Sequence, residues 1–263
     1  MPFVMSTSSG LDFSEGIRYT NPMKISNSII ETVIREQLQK PSGELTEEDM
    51  EKVTTLDLRV NQLTDVKGLE NLTQLTELAL SANELTDAKG LENLTQLKTL
   101  DFASNQLTDV KGLEKLTQLT LLRLDHNQLT SVKGLEKLDQ LTWLYLSSNK
   151  LTEVPNLEKL DQLTYLSLGR NQLADVTGLE KLNQLKTLWL SDNQLTDVTG
   201  LEKLTQLRVL NLHYNKLTNV KGLEKLTKLR ELWLDDNPDL TKAQIAELQK
   251  ALPNCKISSN PTK

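Results

Sequence analysis

The chain has 263 residues, a formal net charge of −6 and an isoelectric point near 5.2. This acidic balance offers no basic footprint for a nucleic-acid partner, and no apolar run approaches the roughly 18 residues that a membrane span needs. The single cysteine, Cys255, excludes an intramolecular disulfide and a cysteine-based metal cluster. We therefore expect no nucleic-acid partner, no membrane span, no metal and no cofactor, and we expect a monomer.

The first residues of the chain have no regular period. Residues 1–23 are polar with scattered aromatic side chains, and they lack the basic and apolar segments of a signal peptide. We interpret them as a leader or a loosely ordered arm. This start fits a cytoplasmic protein, or a secreted protein whose signal peptide is absent from this chain.

An N-terminal helical cap is predicted over residues 24–52. Ser28 and Glu31 have the spacing of a capping box, and apolar residues recur at helical intervals as far as Leu38, so we expect a helix over residues 28–39. The Pro-Ser-Gly sequence that follows ends this helix. Thr46 and Asp49 predict the start of a second, short helix.

A 22-residue repeat fills the centre of the chain, over residues 53–237. Eight full units and a partial ninth begin at positions 53, 75, 97, 119, 141, 163, 185, 207 and 229. A fixed period of this length is typical of a solenoid, in which neighbouring units share one continuous core and count as one domain.

The positions of the repeat, numbered here as columns 1 to 22, divide into constant and variable columns. Leucine dominates columns 1, 4, 6, 11, 17 and 20, and valine dominates column 14, which predicts the buried core. Columns 3 to 6 predict a short strand whose columns 3 and 5 point outward. Pairing between coils then gives nine parallel strands on the concave side, with little α-helix between residues 57 and 237.

Two further columns are nearly constant: column 9, which is polar, and column 16, which is small. Column 9 is asparagine in all nine units, which indicates a ladder of buried amides that satisfy backbone groups, rather than a catalytic row. We expect loss of the inner Asn149 to cost more than loss of Asn237 near the cap. Column 16 is glycine except at Asn156, and both residue types favour a left-handed backbone. Pro155 predicts a locally altered turn in the fifth unit.

A C-terminal helical cap and tail are predicted over residues 238–263. Thr241 and Gln244 have capping-box spacing, and apolar residues follow at helical intervals until Pro253, which predicts a helix over residues 241–252. Terminal repeats lack a neighbour and need such caps. Both amphipathic helices are interpreted as docked on the core; a role at a membrane is the alternative.

The repeat Leu-x-x-Leu-x-Leu-x-x-Asn-x-Leu-Thr-Asp-Val-x-Gly-Leu-Glu-x-Leu-Thr-x resembles the bacterial leucine-rich repeat of internalin-like proteins. The resemblance covers residues 53–237. It implies an α/β solenoid, a right-handed superhelix with a parallel sheet on its concave face, a 3₁₀ or irregular convex side and helical caps. It also implies protein binding on the concave face. The chain lacks the wall-sorting motif of surface internalins, so host-cell adhesion is not implied.

The variable columns 3, 5, 7 and 8 hold all three tryptophans, both histidines and three of the four tyrosines. Exposed tryptophan, tyrosine and arginine often carry interface energy, although aromatic side chains on a strand surface also stabilise a sheet. The aromatic residues lie in units 4 to 9. The predicted partner-binding residues are Arg123, His126, Trp143, Tyr145, Tyr165, Arg170, Trp189, Asp192, His213, Tyr214, Trp233 and Asp235. We also expect a notch at Ser167, between Tyr145 and Trp189, to form an anchor pocket.

Binding without catalysis is the function that this pattern favours. The two histidines are four coils apart, about 19 Å at about 4.8 Å per coil, so they cannot share a metal, and no nucleophile, base and acid set is recognisable. We predict a protein-binding module that uses the C-terminal two-thirds of the concave face. The alternatives are carbohydrate binding on the same aromatic face, and an engineered consensus-like scaffold without a native partner.

Overall fold

The computed structural model describes residues 23–261 and contains one open sheet of ten parallel strands in chain order. The strands are β1 Thr55–Asp57, β2 Glu77–Ala79, β3 Thr99–Asp101, β4 Leu121–Arg123, β5 Trp143–Tyr145, β6 Tyr165–Ser167, β7 Thr187–Trp189, β8 Val209–Asn211, β9 Glu231–Trp233 and β10 Lys256–Ser258. The first nine strands occupy columns 3 to 5 of their units and pair column with column. The nine strands predicted from the repeat are therefore confirmed, one residue shorter than expected.

The tenth strand lies beyond the repeat and was not predicted. Lys256 pairs with Glu231 of β9, so β10 extends the sheet by one coil after the C-terminal helix. Cys255, immediately before β10, is buried, and burial raises the pKa of its thiol to about 11. This cysteine is therefore a protonated core residue at neutral pH.

The core is a single cluster that runs from Ile25 in the N-terminal cap to Cys255. Leucine side chains of the constant columns are almost fully buried in every unit, and Phe102, which replaces a column 6 leucine, is buried as completely. Each such side chain stabilises the fold by roughly 1.5–3 kcal/mol relative to exposure. Since the same columns stack in every coil, the frame of the solenoid is the same along its length.

The column 9 asparagines form the predicted ladder. The Asn149 amide donates hydrogen bonds to the carbonyl oxygens of Leu124 (2.9 Å) and Leu146 (3.0 Å), and its oxygen accepts one from the Leu129 N–H (3.0 Å). Each inner asparagine thus joins its own coil to the preceding one. Because these backbone groups are buried, each would be left unsatisfied without the amide.

The two ends of the ladder differ in a way that corrects one expectation. Asn237 makes equivalent hydrogen bonds to Leu212, Leu217 and Leu234 and is only 2% exposed, so the premise that it is held less tightly than inner residues is wrong. The C-terminal cap covers it. Asn61, at the first coil, is the weaker end, because its partly exposed amide donates to a carbonyl oxygen of its own coil.

The convex turns depend on the column 16 glycines, whose φ angles are 97° to 113°. In each of these turns the glycine N–H donates to the column 18 glutamate, as in Gly178 to Glu180 at 2.7 Å. Four turns continue as short 3₁₀ helices, namely Leu135–Lys137, Leu179–Lys181, Leu201–Lys203 and Leu223–Lys225. The expected 3₁₀ or irregular convex side is confirmed.

The fifth unit departs from this turn. Asn156 is not among the residues with positive φ, so the expectation of a left-handed Asn156 is wrong. Pro155 fixes its own φ and supplies no N–H, and the turn takes another path. Glu158, released from its usual glycine partner, forms an ion pair with Lys181, and Val154 is only partly buried. The local alteration predicted from Pro155 is therefore confirmed.

Helices cover both ends of the described chain: α1 Ser28–Gln37, α2 Glu47–Glu51 and α3 Lys242–Ala251. The capping boxes of Thr46 with Asp49 and of Thr241 with Gln244 are both present. The predicted box at Ser28 is wrong, because the Asn27 side chain accepts from the N–H groups of Ile29 and Ile30, which places the N-cap one residue earlier. The predicted leader, except for Met23, lies outside the described residues.

The N-terminal cap is tied to the sheet by polar contacts. The Gln37 amide donates to the carbonyl oxygen of Thr55 at 2.9 Å, which closes part of the free edge of β1. Lys40 donates to the Asp49 carboxylate at 2.6 Å, and this hydrogen bond lowers the pKa of Asp49 to about 2. Asp49 is therefore ionised at any physiological pH.

Candidate partner-binding face

The concave face consists of columns 3 and 5 on the strands and columns 7 and 8 just after them. The strands alternate as expected: on β5, Trp143 is exposed, Leu144 is buried and Tyr145 is half-buried. Leucine at column 4 faces the core, so its neighbours must face outward. The variable columns therefore share one surface, as the repeat predicted.

Column 8 has a left-handed backbone in all nine units, with φ between 52° and 58°, a feature that was not anticipated. The residues are Val60, Ala82, Ser104, His126, Ser148, Arg170, Asp192, Tyr214 and Asp236. Aspartate and histidine are enriched in this conformation, but valine and tyrosine are not. The absence of glycine from this column concealed the turn, which places these side chains at the edge of the concave face.

Three of the predicted residues form a stack across β4, β5 and β6. The Arg123 guanidinium lies 5.4 Å from the centre of the Tyr145 ring, and this ring lies 4.7 Å from that of Tyr165. Arg123 is also paired with Asp125 (3.2 Å) and Asp101 (3.7 Å). Burial in the stack raises the pKa of the Tyr165 hydroxyl. These contacts hold the rings in fixed positions.

A second stack joins two tryptophans that are not on adjacent strands. The rings of Trp189 on β7 and Trp233 on β9 are 5.7 Å apart and nearly parallel. Asn211 on the intervening β8 is 8% exposed and lies between them in the strand order. In the described part of the chain, the Trp189 indole nitrogen is buried without a hydrogen-bond partner. The surrounding side chains therefore cover this donor, and a ligand reaches it only if the ring moves.

The notch expected at Ser167 is not open, and that expectation is wrong. Ser167 is 7% exposed, and its hydroxyl is hydrogen-bonded to that of Ser147. A Cβ atom on Gly169 would lie 3.0 Å from the Ser191 hydroxyl oxygen, so this part of the face is closely packed. The small residues of neighbouring coils pack against one another, so a small residue between large ones does not by itself make a pocket.

The remaining predicted residues lie along the edge of the face. The His213 ring meets the edge of Tyr214 at 4.1 Å, and its Nδ1 atom is 3.7 Å from the Asp236 carboxylate. Arg170 lies 3.9 Å from Asp192. His126 is exposed and Asp235 is partly buried. The most exposed aromatic side chains of the set are Trp143 (44%) and Tyr214 (53%).

The face therefore contains two aromatic stacks and a polar edge, and it does not bring the histidines together. Within residues 23–261, no cluster of histidine, cysteine or carboxylate side chains could hold a metal ion. Over the same range, none of the helices has the length and apolar character to cross a bilayer.

The N-terminal part of the face has a different surface. Small side chains such as Thr55, Ala79 and Thr99 leave an open groove of about 500 Å³, with Asp57 and Arg59 along its side. The sequence signal for this groove is the run of small residues in columns 3 and 5 of the first three units. No groove was predicted from these residues.

Comparisons with known proteins agree with this architecture. A family profile described as "Leucine Rich repeats (2 copies)" matches residues 51–93, 95–137, 139–181, 183–224 and 205–250. The structure of an internalin (inlF) from Listeria monocytogenes is similar with a TM-score of 0.86 and 27% identity, covering 92% of this chain and 74% of that one. The structure of internalin C2 from the same organism is similar with a TM-score of 0.77 and 30% identity, covering 82% of this chain and 97% of that one.

A more distant structural neighbour is the leucine-rich repeat ectodomain of the Arabidopsis thaliana receptor kinase GASSHO1/SCHENGEN3, solved in complex with Casparian strip integrity factor 2. Its TM-score is 0.65 and its identity 28%, over 79% of this chain and 27% of that one. A sequence search of curated proteins found no match.

The repeat, the parallel sheet and the aromatic face define the class as a leucine-rich repeat solenoid. The chain belongs to the leucine-rich repeat family and is internalin-like, of the bacterial kind that the Listeria structures represent. Proteins of this family generally mediate protein–protein interaction, and the internalin-like fold is a non-enzymatic scaffold for it. The predictions of the fold, of the family and of a non-enzymatic role are confirmed at this level.

Proposed function

We propose that the chain binds a protein partner through the C-terminal two-thirds of its concave face. The observation that carries the proposal is the pair of stacks, Arg123 with Tyr145 and Tyr165, and Trp189 with Trp233. Aromatic and arginine side chains held in place by their neighbours lose little conformational entropy on binding, and such residues dominate interface energies.

The unpaired indole N–H of Trp189 supports the same proposal. A buried donor without a partner carries a desolvation cost of about 1–3 kcal/mol. A partner that offers a carbonyl or carboxylate oxygen to this group, as the indole ring turns on binding, would recover that cost. The plant receptor ectodomain, which was solved in complex with Casparian strip integrity factor 2, provides a precedent for ligand binding by this kind of solenoid.

The polar edge supplies the second property of a protein interface. Arg170, Asp192, His213 and Asp235 surround the aromatic stacks with groups that can hydrogen-bond while remaining in contact with water. An apolar centre with a polar rim is the usual arrangement of an interface hot spot. Trp143 and Tyr214 extend the apolar area toward this rim.

Affinity purification followed by mass spectrometry identifies the partner, and calorimetric titration of four variants tests where it binds. We expect Trp189→Ala and Tyr145→Ala each to weaken binding by about 2 kcal/mol or more. The controls Asp57→Ala and Ala79→Ser change the N-terminal part of the same face and should have little effect. Thermal melts of all four verify that the fold is retained.

The titration contradicts the proposal if the N-terminal pair is the more damaging. A glycan array probed with the same four variants tests the carbohydrate alternative, because aromatic rings also stack on sugars. Strong binding to a glycan that is lost in Tyr145→Ala would favour that alternative over a protein partner.

A further inference from the structure

The residue just before each strand, column 2, changes chemistry along the solenoid. In units 4 to 6 it is Thr120, Thr142 and Thr164, whose hydroxyls donate to the carbonyl oxygen of the preceding coil at 2.9–3.2 Å. In units 7 to 9 it is Lys186, Arg208 and Arg230. The fold does not require basic residues at column 2, since the central coils have the same structure with threonine there.

The backbone holds these three basic residues side by side. The Arg208 N–H donates to the Lys186 carbonyl oxygen, and the Arg230 N–H to the Arg208 carbonyl oxygen, both at 2.8 Å. They therefore follow one another at about 4.8 Å, the spacing of adjacent strands. All three are exposed, and none has an ion-pair partner within the part of the chain that the structure describes.

The surroundings of this row are depleted of acidic side chains. Column 21, which precedes column 2 by three residues, is aspartate before Thr142 and Thr164 but neutral before the three basic residues. Lys228 adds a fourth cation, hydrogen-bonded to Gln206 at 2.6 Å. We name Lys186, Arg208, Lys228 and Arg230 the basic strip. Glu231, at the start of β9, is the acid next to it in sequence.

Like charges side by side on a sheet repel one another, so the basic strip carries an electrostatic cost. The lysines of column 19 on the convex side each follow the glutamate of column 18, and Lys181 among them is paired with Glu158, whereas the columns on either side of the basic strip hold one acid in these units, Glu231. An unpaired row of cations at one end of a chain with a net charge of −6 indicates a surface that is neutralised by another molecule.

The position of the strip relates it to the aromatic face. Trp189 and Trp233 lie three residues further along the same strands as Lys186 and Arg230, about 10 Å away. Asp192, Asp235 and Asp236 follow at the opposite ends of these strands. This end of the solenoid is therefore basic where the strands begin, aromatic in the middle and acidic where the strands end.

We propose that the basic strip binds a carboxylate-rich segment of the protein partner, whose apolar side chain contacts the Trp189–Trp233 pair. The inference rests on the proposed function and specifies the chemistry of the partner. A protein segment fits better than a nucleic acid, because the aspartates at the other edge and the negative net charge would repel a continuous phosphate backbone. A segment with carboxylates on one side and an apolar group on the other matches the charge order of the face.

Selection of random dodecapeptides displayed on phage tests the inference without knowledge of the partner. Peptides selected on the unmodified protein should be enriched in aspartate and glutamate beside an aromatic or aliphatic residue. The triple variant Lys186→Glu, Arg208→Glu, Arg230→Glu should bind them about tenfold more weakly or worse, and their affinity for the unmodified protein should fall as salt is raised.

The matched control reverses three exposed lysines of the convex side, Lys115→Glu, Lys137→Glu and Lys159→Glu. It changes the net charge by the same amount and should leave the affinity unchanged. Peptides without acidic enrichment, or equal binding to both triple variants, would overturn the inference. So would oligo-dT that binds more tightly than the peptides and is released by reversal of the strip.

The variant Trp189→Ala separates this inference from the proposed function. Loss of peptide binding in Trp189→Ala but not in the strip variant would leave the aromatic face as the binding site and reject the role of the strip. Loss in the strip variant with full binding in Trp189→Ala would reject the aromatic face. Recovery of no peptide that depends on either site would count against both.

Discussion

The two ends of the concave face stand on the same frame and present opposite surfaces. Leu78 on β2 and Leu188 on β7 occupy the same column, and both are almost completely buried. In units 1 to 3 the outward side chains of the strands are small or charged, whereas the tryptophans and tyrosines of the face all lie in units 5 to 9. The comparison teaches that the core columns determine the fold and leave the face free to vary.

The charged and aromatic surfaces also differ in how firmly they are built. Asp57 and Arg59 pair with each other, but both side chains are more than half exposed. Exposed ion pairs contribute little because water and salt screen them. In the Trp189–Trp233 stack, in contrast, the rings pack on each other, and both the Trp189 indole nitrogen and the intervening Asn211 are buried. The C-terminal part of the face therefore offers an ordered surface, and the N-terminal part a solvated one.

The comparison assumes a frame that is equally strong in both halves, and substitutions in the asparagine ladder test this assumption. We expect Asn105→Ala and Asn193→Ala, like Asn149→Ala between them, each to lower the free energy of unfolding by about 1–3 kcal/mol, because buried backbone groups lose their partners. Asn61→Ala, at the exposed end of the ladder, is the matched control and should cost least. Chemical denaturation measures all four.

Similar, near-zero losses in all four variants would refute the structural role of the ladder. A large loss of unfolding free energy in only one half would show that the two halves have frames of different strength. The contrast between their surfaces could then not be assigned to the variable columns alone.

The difference between the two surfaces is tested by double-mutant cycles. Trp189→Ala and Trp233→Ala, alone and together, should give a coupling of about 0.5–1.5 kcal/mol in thermal or chemical unfolding, since ring stacking adds to simple burial. The corresponding cycle on Asp57 and Arg59 should give no measurable coupling. A stronger coupling in the charged pair would reverse the contrast between the two surfaces.

A smaller effect is expected at Val60, in the left-handed column of the first unit. Its φ is 58° and its side chain is 77% exposed, so a β-branched residue is strained there without compensating contacts. Val60→Asn should raise the free energy of unfolding by roughly 0.5–1 kcal/mol, because asparagine adopts this conformation more readily. Ala82→Asn, one coil further on, is the control and should raise it less. A loss of stability in Val60→Asn would contradict the assignment of strain.

The sequence predicted most of the features that recur in every unit, with the left-handed column 8 as the exception. The nine strand positions, the buried columns and the asparagine ladder all follow from side-chain alternation and from the need to satisfy buried backbone groups. Two of the three predicted capping boxes are present for the same reason. At the first helix, Asn27 precedes Ser28 and its side chain accepts from the N–H groups of Ile29 and Ile30, so a competing local hydrogen bond moved the cap by one residue.

The features that depend on a single unit or on side-chain orientation could not be predicted. Strand β10 has no repeat pattern, because it belongs to the cap. The contact of Trp189 with Trp233 spans two coils, and the alternation of large and small residues suggested separate side chains with a notch between them. Ser167 instead packs against Ser147 and leaves no notch, and the left-handed column 8 was hidden because it contains no glycine. The identity of the binding residues therefore stays a prediction.

Fluorine NMR of the protein labelled with fluorotryptophan tests the central claim most directly, because all three tryptophans lie on the proposed binding surface. Signals are assigned by single Trp→Phe variants, and the partner recovered by affinity purification is added to saturation. Binding at the aromatic face predicts that the signals of Trp189 and Trp233 shift. If all three signals stay unchanged while calorimetry reports binding, the partner binds elsewhere and the claim is wrong.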